Sequence, residues 1–243
     1  MLSSLQSEKK RRELNEKLIK YTLILAAAIS ILTTFGILFS ILFEAIEFFQ
    51  LRSFWYFLTG TIWSPGVANS QFGALPIFAG TFVITIIALL VAIPIGLGSA
   101  IYMSEYASPK FRDYLKPILE ILAGIPTVVY GFFAAITVAP LVVKAAAFFG
   151  LEATFNSALA SGIVMGIMII PLISSLSDDV IRAVPDSQRK AAFALGMTHG
   201  ETIKNIVIPS AMPGIISASL LALSRALGET MIVVMAAGLR PNL

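Results

Sequence analysis

The chain contains no cysteine and a single histidine, His199, among its 243 residues. Without cysteine there can be no disulfide, no thiolate zinc site and no thiol nucleophile. One histidine cannot build a metal cluster, and His199 reads as a solvated loop residue. Charge is scarce as well: 13% of residues are charged, against roughly a quarter in a soluble domain. The sequence has no G-x-x-x-x-G-K-[ST] to cradle ATP phosphates, no Gly-x-Ser-x-Gly and no His-Glu-x-x-His. An intramembrane hydrolase would have to use a Ser–Lys or paired-carboxylate device, and the apolar stretches hold too few carboxylates for one. Apolar residues take the place of all this, at 57% of the chain and a mean hydropathy of +0.88. The composition is that of an all-α, multi-span membrane protein.

Apolar runs of about 20 residues mark spans. They fall at 21–43, 75–102, 117–141, 158–176 and 214–238, which gives five. The polar head 1–20, with Lys9, Lys10, Arg11 and Arg12, precedes a run too long for a signal-peptide core, so the first span reads as a retained anchor. Of the 17 lysines and arginines, 13 fall on the side of the amino terminus, only Arg52, Lys144 and Arg240 fall on the other, and Arg225 lies inside a span. By the positive-inside rule the amino terminus and the connection 177–213 are cytoplasmic. The aromatics of 44–74, among them Phe48, Phe49, Trp55 and Trp63, suit a segment in the outer interface. Residues 144–157 form a short outer connection. The expected carboxyl terminus is outside.

The connection 177–213 is the polar, Gly-broken element of the chain. Ala191-Ala192-Phe193-Ala194-Leu195 favours helix, and Gly196 is placed to end it in a left-handed turn. Thr198 or Thr202 can cap a second short helix with Ile203, Ile206 and Val207 on one side. Pro209 is expected to stop that helix and Pro213 to open the next span. Two short helices around a glycine make a rigid knob at the membrane surface, and an amphipathic loop resting on headgroups is the other reading of the same residues.

In the last span Arg225 and Glu229 are four residues apart, so a continuous helix places them on one face. A charge near the bilayer centre costs roughly 2.5–3.5 kcal/mol, and an exposed pair returns only about 0.3–0.5 kcal/mol. Such residues normally face a bundle interior or a water-filled path, although an ion pair that pins helix packing also fits. A guanidinium suits phosphate because it donates in a bidentate fork. Glu120, near the inner end of the third expected span, is a candidate partner for Arg225. Pro94, Pro126 and Pro140, with Gly96, Gly98, Gly124 and Gly131, can kink the second and third spans toward a cavity.

The spacing Ala191-Ala192, Gly196, Ile206, Ile208-Pro209 resembles the EAA loop of permeases in bacterial ABC importers, with Lys190 where that motif normally has Glu. Phe72-Gly73-Ala74-Leu75-Pro76, Ser104-Glu105-Tyr106-Ala107, the segment 123–131 (AGIPTVVYG) and Arg225-Ala226-Leu227-Gly228-Glu229-Thr230-Met231 are similar to the phosphate-importer permeases, and more to the PstC-type than the PstA-type subunit. The resemblance implies a type I importer permease fold with six core spans, the last of them lacking here, and alternating-access transport of phosphate in a bacterial inner membrane. Sulfate or molybdate is the alternative cargo. It implies a PstA-type second permease, two copies of an ATP-binding subunit and a periplasmic phosphate-binding protein as partners, besides membrane lipid, with no cofactor, metal or nucleic acid. It also implies that Lys190, Ala191, Ala192, Gly196, Ile206, Ile208 and Pro209 couple to the ATPase, while the charges read from the spans themselves, Arg225, Glu229 and Glu120, are expected along the substrate path.

Overall fold

In the computed structural model, residues 2–66, 70–152 and 154–238 are described. The chain divides into two compact units, one ending at Thr59 and the other beginning at Gly60.

The first unit is mostly one helix, α1 (Leu2–Leu51), followed by the short α2 (Phe54–Thr59). At 1.5 Å per residue, α1 is roughly 75 Å long, more than twice the hydrocarbon thickness of a bilayer. Its apolar side chains from Leu18 to Phe43 are exposed, as a lipid-facing helix requires. The expected span 21–43 lies inside it. At its end Phe48, Phe49, Phe54 and Phe57 pack edge to face, with ring centroids 5.2–5.7 Å apart.

The second unit opens with a two-stranded antiparallel ribbon, β1 (Trp63–Ser64) with β2 (Gln71–Phe72), in which Trp63 stands opposite Phe72. Then come α3 (Leu75–Ile101), a π-helical turn at Tyr102–Tyr106, α4 (Pro109–Ala123) and α5 (Thr127–Phe133). A second π turn (Ala134–Val138) leads into α6 (Ala139–Phe148), and α7 (Ala158–Arg182) follows. The last third holds α8 (Asp186–Ala194), α9 (His199–Thr202), a π turn at Ile203–Val207, α10 (Ile208–Leu227) and α11 (Met231–Ala236).

Helix α7 is the axis of this unit. In its most apolar window 61% of residues are buried, against 17–28% in the other spans of the unit. The reason is in its sequence: Gly162 and Gly166 form a G-x-x-x-G stripe that lets α3 approach backbone to backbone. A Cβ at Gly162 would lie 2.6 Å from Ile87, and one at Gly166 would lie 2.8 Å from the Ala88 carbonyl oxygen. Around that contact Ile84, Ala88, Val164, Met165, Met168 and Ile173 form the core. The Ser174 hydroxyl donates to Ser99 Oγ at 3.1 Å, joining the same two helices further along.

Among the described residues five helical segments are long and apolar enough to cross a membrane, as the sequence leads one to expect, but two expected spans shift. The third span runs over Thr127–Phe148, not 117–141. Gly124 caps α4, and Pro126, which lacks an N–H and restricts Ile125, forces a break before α5. Nor does Pro209 stop the last long helix: α9, the π turn and α10 run as one span, His199–Leu227. The π turn closes with the Ile208 N–H donating to Ile203 O, so Pro209 falls in a first helical turn, where its missing N–H costs little. The span ends at Leu227 rather than continuing to Gly238. The end of α11 returns to the start of α7 through the Ser157 N–H, which donates to Ala236 O at 3.0 Å.

Candidate functional site

The element joining α7 to α10 is built from local bonds that its sequence dictates. Helix α8 ends in a Schellman turn: the Met197 N–H donates to Ala192 O at 3.2 Å and the Gly196 N–H to Phe193 O at 3.0 Å. That closure needs a left-handed residue after the cap, and Gly196 supplies it with φ of +82°. Thr198 then starts α9 with a capping box. Its backbone N–H donates to Glu201 Oε2 at 2.8 Å, and the Glu201 N–H donates back to Thr198 Oγ1 at 3.4 Å. Two helical pieces hinged on a glycine are therefore present as expected, with the second running on into α10.

Between α8 and the start of α10 lies an open groove of about 560 Å³. Ala191, Ala192, Ile206 and Pro209 line it, joined by Leu195 and Met197. Lys190 is exposed beside it, Gly196 is the hinge, and Ile208 is half-buried behind the groove. Leu195 is 83% exposed, so a large apolar side chain stands free next to a concave apolar wall.

Sequence reasoning missed what holds this element in place. Arg189 donates through Nη2 to Glu105 Oε1 and to Ile181 O, each at 2.9 Å, and through Nη1 to the Val184 carbonyl. Glu105 is 7% exposed and sits in the π turn after α3, so one guanidinium bolts α8 to the ends of both α3 and α7. His199 is not merely solvated. It stacks parallel to Phe193, meets Tyr106 edge-on with centroids 5.1 Å apart, and places Nε2 3.9 Å from Glu105 Oε2. Alongside, Arg112 of α4 donates from Nη2 and Nε to Asp178 Oδ2 at 2.7 and 3.1 Å, and Lys116 donates to Asp179 at 2.6 Å. The hydrogen bond to Asp178 is the main cause that raises the pKa of Arg112 above its ordinary value. No short motif announces these pairs, because Arg189–Glu105 and Arg112–Asp178 span 84 and 66 residues of sequence.

The structure separates the three residues expected along the substrate path. Arg225 is exposed near the end of α10. Glu229 lies beyond that end, in the break at 228–230, and does not share a helical face with Arg225. Its Oε1 accepts from the N–H groups of Met231 and Ile232 at 3.0 and 3.4 Å and so caps α11. Gly228, a poor helix former, and the competing cap at Glu229 together explain why α10 stops there. Glu120 is exposed on α4, outside the third span. None of the three bonds another among the described residues.

The break has a consequence for shape. Glu229 borders a cavity of about 230 Å³ together with Thr81, Thr85 and Thr230. A larger cavity of about 990 Å³, lined by Trp63, Asn156 and Gly238, shares Thr81, Ile84 and Val233 with it. A carboxylate and hydroxyls thus meet in space that reaches the ends of α3, α7 and α11.

A family model described as binding-protein-dependent transport system inner membrane component matches residues 92–240. The chain is 38% identical to the probable ABC transporter permease protein YqgH of Bacillus subtilis (strain 168), over 75% of this chain and 58% of that protein. It is 34% identical to the phosphate transport system permease protein PstC 1 of Mycobacterium bovis, over 75% of this chain and 63% of that protein. With the phosphate transport system permease protein PstC of Mesorhizobium japonicum the identity is 35%, over 88% and 69%. The chain thus spans 58–63% of the length of the first two relatives.

Proposed function

The chain belongs to the family of binding-protein-dependent transport system inner membrane components, and from that premise we propose that it is the PstC-type permease subunit of an ATP-driven phosphate importer. It pairs in the cytoplasmic membrane with a second permease subunit, takes phosphate from a periplasmic binding protein and is driven by two ATP-binding subunits. ATP hydrolysis belongs to those partners, and this chain converts it into movement.

The observation that carries this reading is the geometry at the two ends of one span, His199–Leu227. One end is the apolar groove of α8 and α10, clamped by Arg189 onto Glu105. The other is the break that brings Glu229 to the cavity, four residues beyond Arg225 and past the end of α10. A rigid helix joins a surface that can be gripped to residues that can meet an anion. The relatives named for phosphate transport support the choice of cargo. In this reading ATPase closure pushes on the groove, the Arg189 clamp passes the push to α3 and α7, and the path turns from outward- to inward-facing. With the amino terminus cytoplasmic, the groove faces the ATPases.

The test is uptake of labelled phosphate by cells that lack their own phosphate permeases and express the full-length gene with its cognate partners. Excess sulfate and molybdate are expected to leave uptake unchanged. Equal competition by sulfate would assign the permease to a broader oxyanion class.

A further inference from the structure

Thr85 is 97% buried, being 3% exposed, and lies in the apolar core contact of α3 with α7. It lines the 230 Å³ cavity, yet its hydroxyl makes no hydrogen bond to any described residue. Thr81, one turn earlier on the same wall, behaves in the ordinary way and donates to Ile77 O at 2.9 Å. Among the described residues the fully buried unpaired side-chain atoms belong to Ser177, Asp178 and Thr202, so the Thr85 oxygen is not sealed in the core but opens onto the cavity it lines. The hydroxyl has its reason if something in the cavity bonds it. Across the cavity, Glu229 spends Oε1 on the cap of α11, while Oε2 has no partner among the described residues.

We propose that Thr85 and Glu229 form a binding subsite for a protonated tetrahedral oxyanion, hydrogen phosphate or dihydrogen phosphate. The Thr85 hydroxyl donates to a phosphoryl oxygen, and Glu229 Oε2 accepts from a P–OH. The chemistry follows from the donor set. A bare carboxylate beside a fully ionised tetrahedral anion leaves two negative charges facing each other with no proton between them. A protonated phosphate brings that proton, whereas sulfate at neutral pH has none to offer. The pairing of one acceptor-only group with one free donor therefore selects phosphate and its close analogue arsenate over sulfate. Space is not limiting, since a cavity needs only about 10–15 Å³ to hold one water. Thr230, on the same wall, has a hydroxyl that can supply a second donor.

The subsite rests on the phosphate-permease reading above, and the experiment separates the two. The full-length permease, assembled with its cognate partners, is assayed for phosphate uptake and for binding-protein-stimulated ATP hydrolysis as Thr85→Val and Thr85→Ser. In Thr85→Val the KM for phosphate and the inhibition constant of arsenate are expected to rise in parallel by about tenfold, the loss of one hydrogen bond to a charged acceptor. Stimulated ATP hydrolysis persists, reporting an assembled complex, and Thr85→Ser, which keeps the hydroxyl, recovers most of the affinity. An unchanged KM in Thr85→Val would overturn the subsite, and so would a serine variant as impaired as the valine one, which would mark a packing defect. Absence of phosphate uptake by the wild-type complex would instead overturn the permease assignment.

Discussion

Three arginines of this chain do different work, and their surroundings tell them apart. Arg112 and Arg189 are largely buried and spend their forks on carboxylates and carbonyls of the protein, whereas Arg225 is exposed and bonds no carboxylate among the described residues. Only the last is free for a ligand. Arg225→Ala is expected to abolish phosphate uptake while the complex still assembles, as checked by co-purification of the partner subunits; uptake at the wild-type rate would sink its role in the path. Arg189→Ala should act in the opposite way, taking the arginine donor from Glu105 and from the Val184 carbonyl in a mostly buried place, while Ile181 O keeps the Val184 N–H. Removing one partner of a buried pair costs about 3–5 kcal/mol, so its thermal unfolding in detergent should fall well below that of the parent. A melting temperature within error of the parent would show that the clamp is ornamental. Glu229 shows how far sequence reasoning reaches at this scale. A carboxylate in an apolar run pointed to an interior place, and Glu229 does border a cavity. Its cap on α11 was not legible, because that depends on α10 ending one residue short of Gly228.

At the scale of elements, the groove depends on one backbone conformation. Gly196 holds φ of +82°, and a proline there would both impose φ near −65° and remove the N–H that bonds Phe193 O. Gly196→Pro is expected to uncouple the transporter: complex assembly persists and binding-protein-stimulated ATP hydrolysis disappears. Stimulated hydrolysis at the parent level would refute the docking role of α8. Gly196→Ala is the milder probe, costing about 1–2 kcal/mol for a non-glycine in the left-handed region, and should lower the stimulation rather than remove it. The knob was readable in the sequence because Schellman turns and capping boxes are local devices set within five or six residues. The continuity of α9 with α10 was not, since a π turn at Ile203–Val207 leaves no residue signature and it alone lets the helix pass Pro209.

For the whole molecule, the testable statement is orientation. The absence of cysteine makes the chain a clean background for single-cysteine labelling. Lys190→Cys should react with a membrane-impermeant maleimide in inside-out vesicles, and Lys144→Cys in right-side-out vesicles; the reverse pattern would invert the topology argued from lysine and arginine. Composition and the spacing of apolar runs sufficed for five spans, for an all-α bundle and for the existence of a polar, glycine-broken connection before the last span, because those features follow from hydropathy and local propensity summed over a few turns. Where a span breaks, which arginine is spent and which is free, and that Thr85 and Glu229 face one cavity were decided by the tertiary structure alone. Hydropathy cannot see Pro126 and Gly228 as breaks rather than kinks. Nor can any short window pair Arg189 with a glutamate 84 residues away, because that contact exists only once the glycine stripe of α7 has drawn α3 against it.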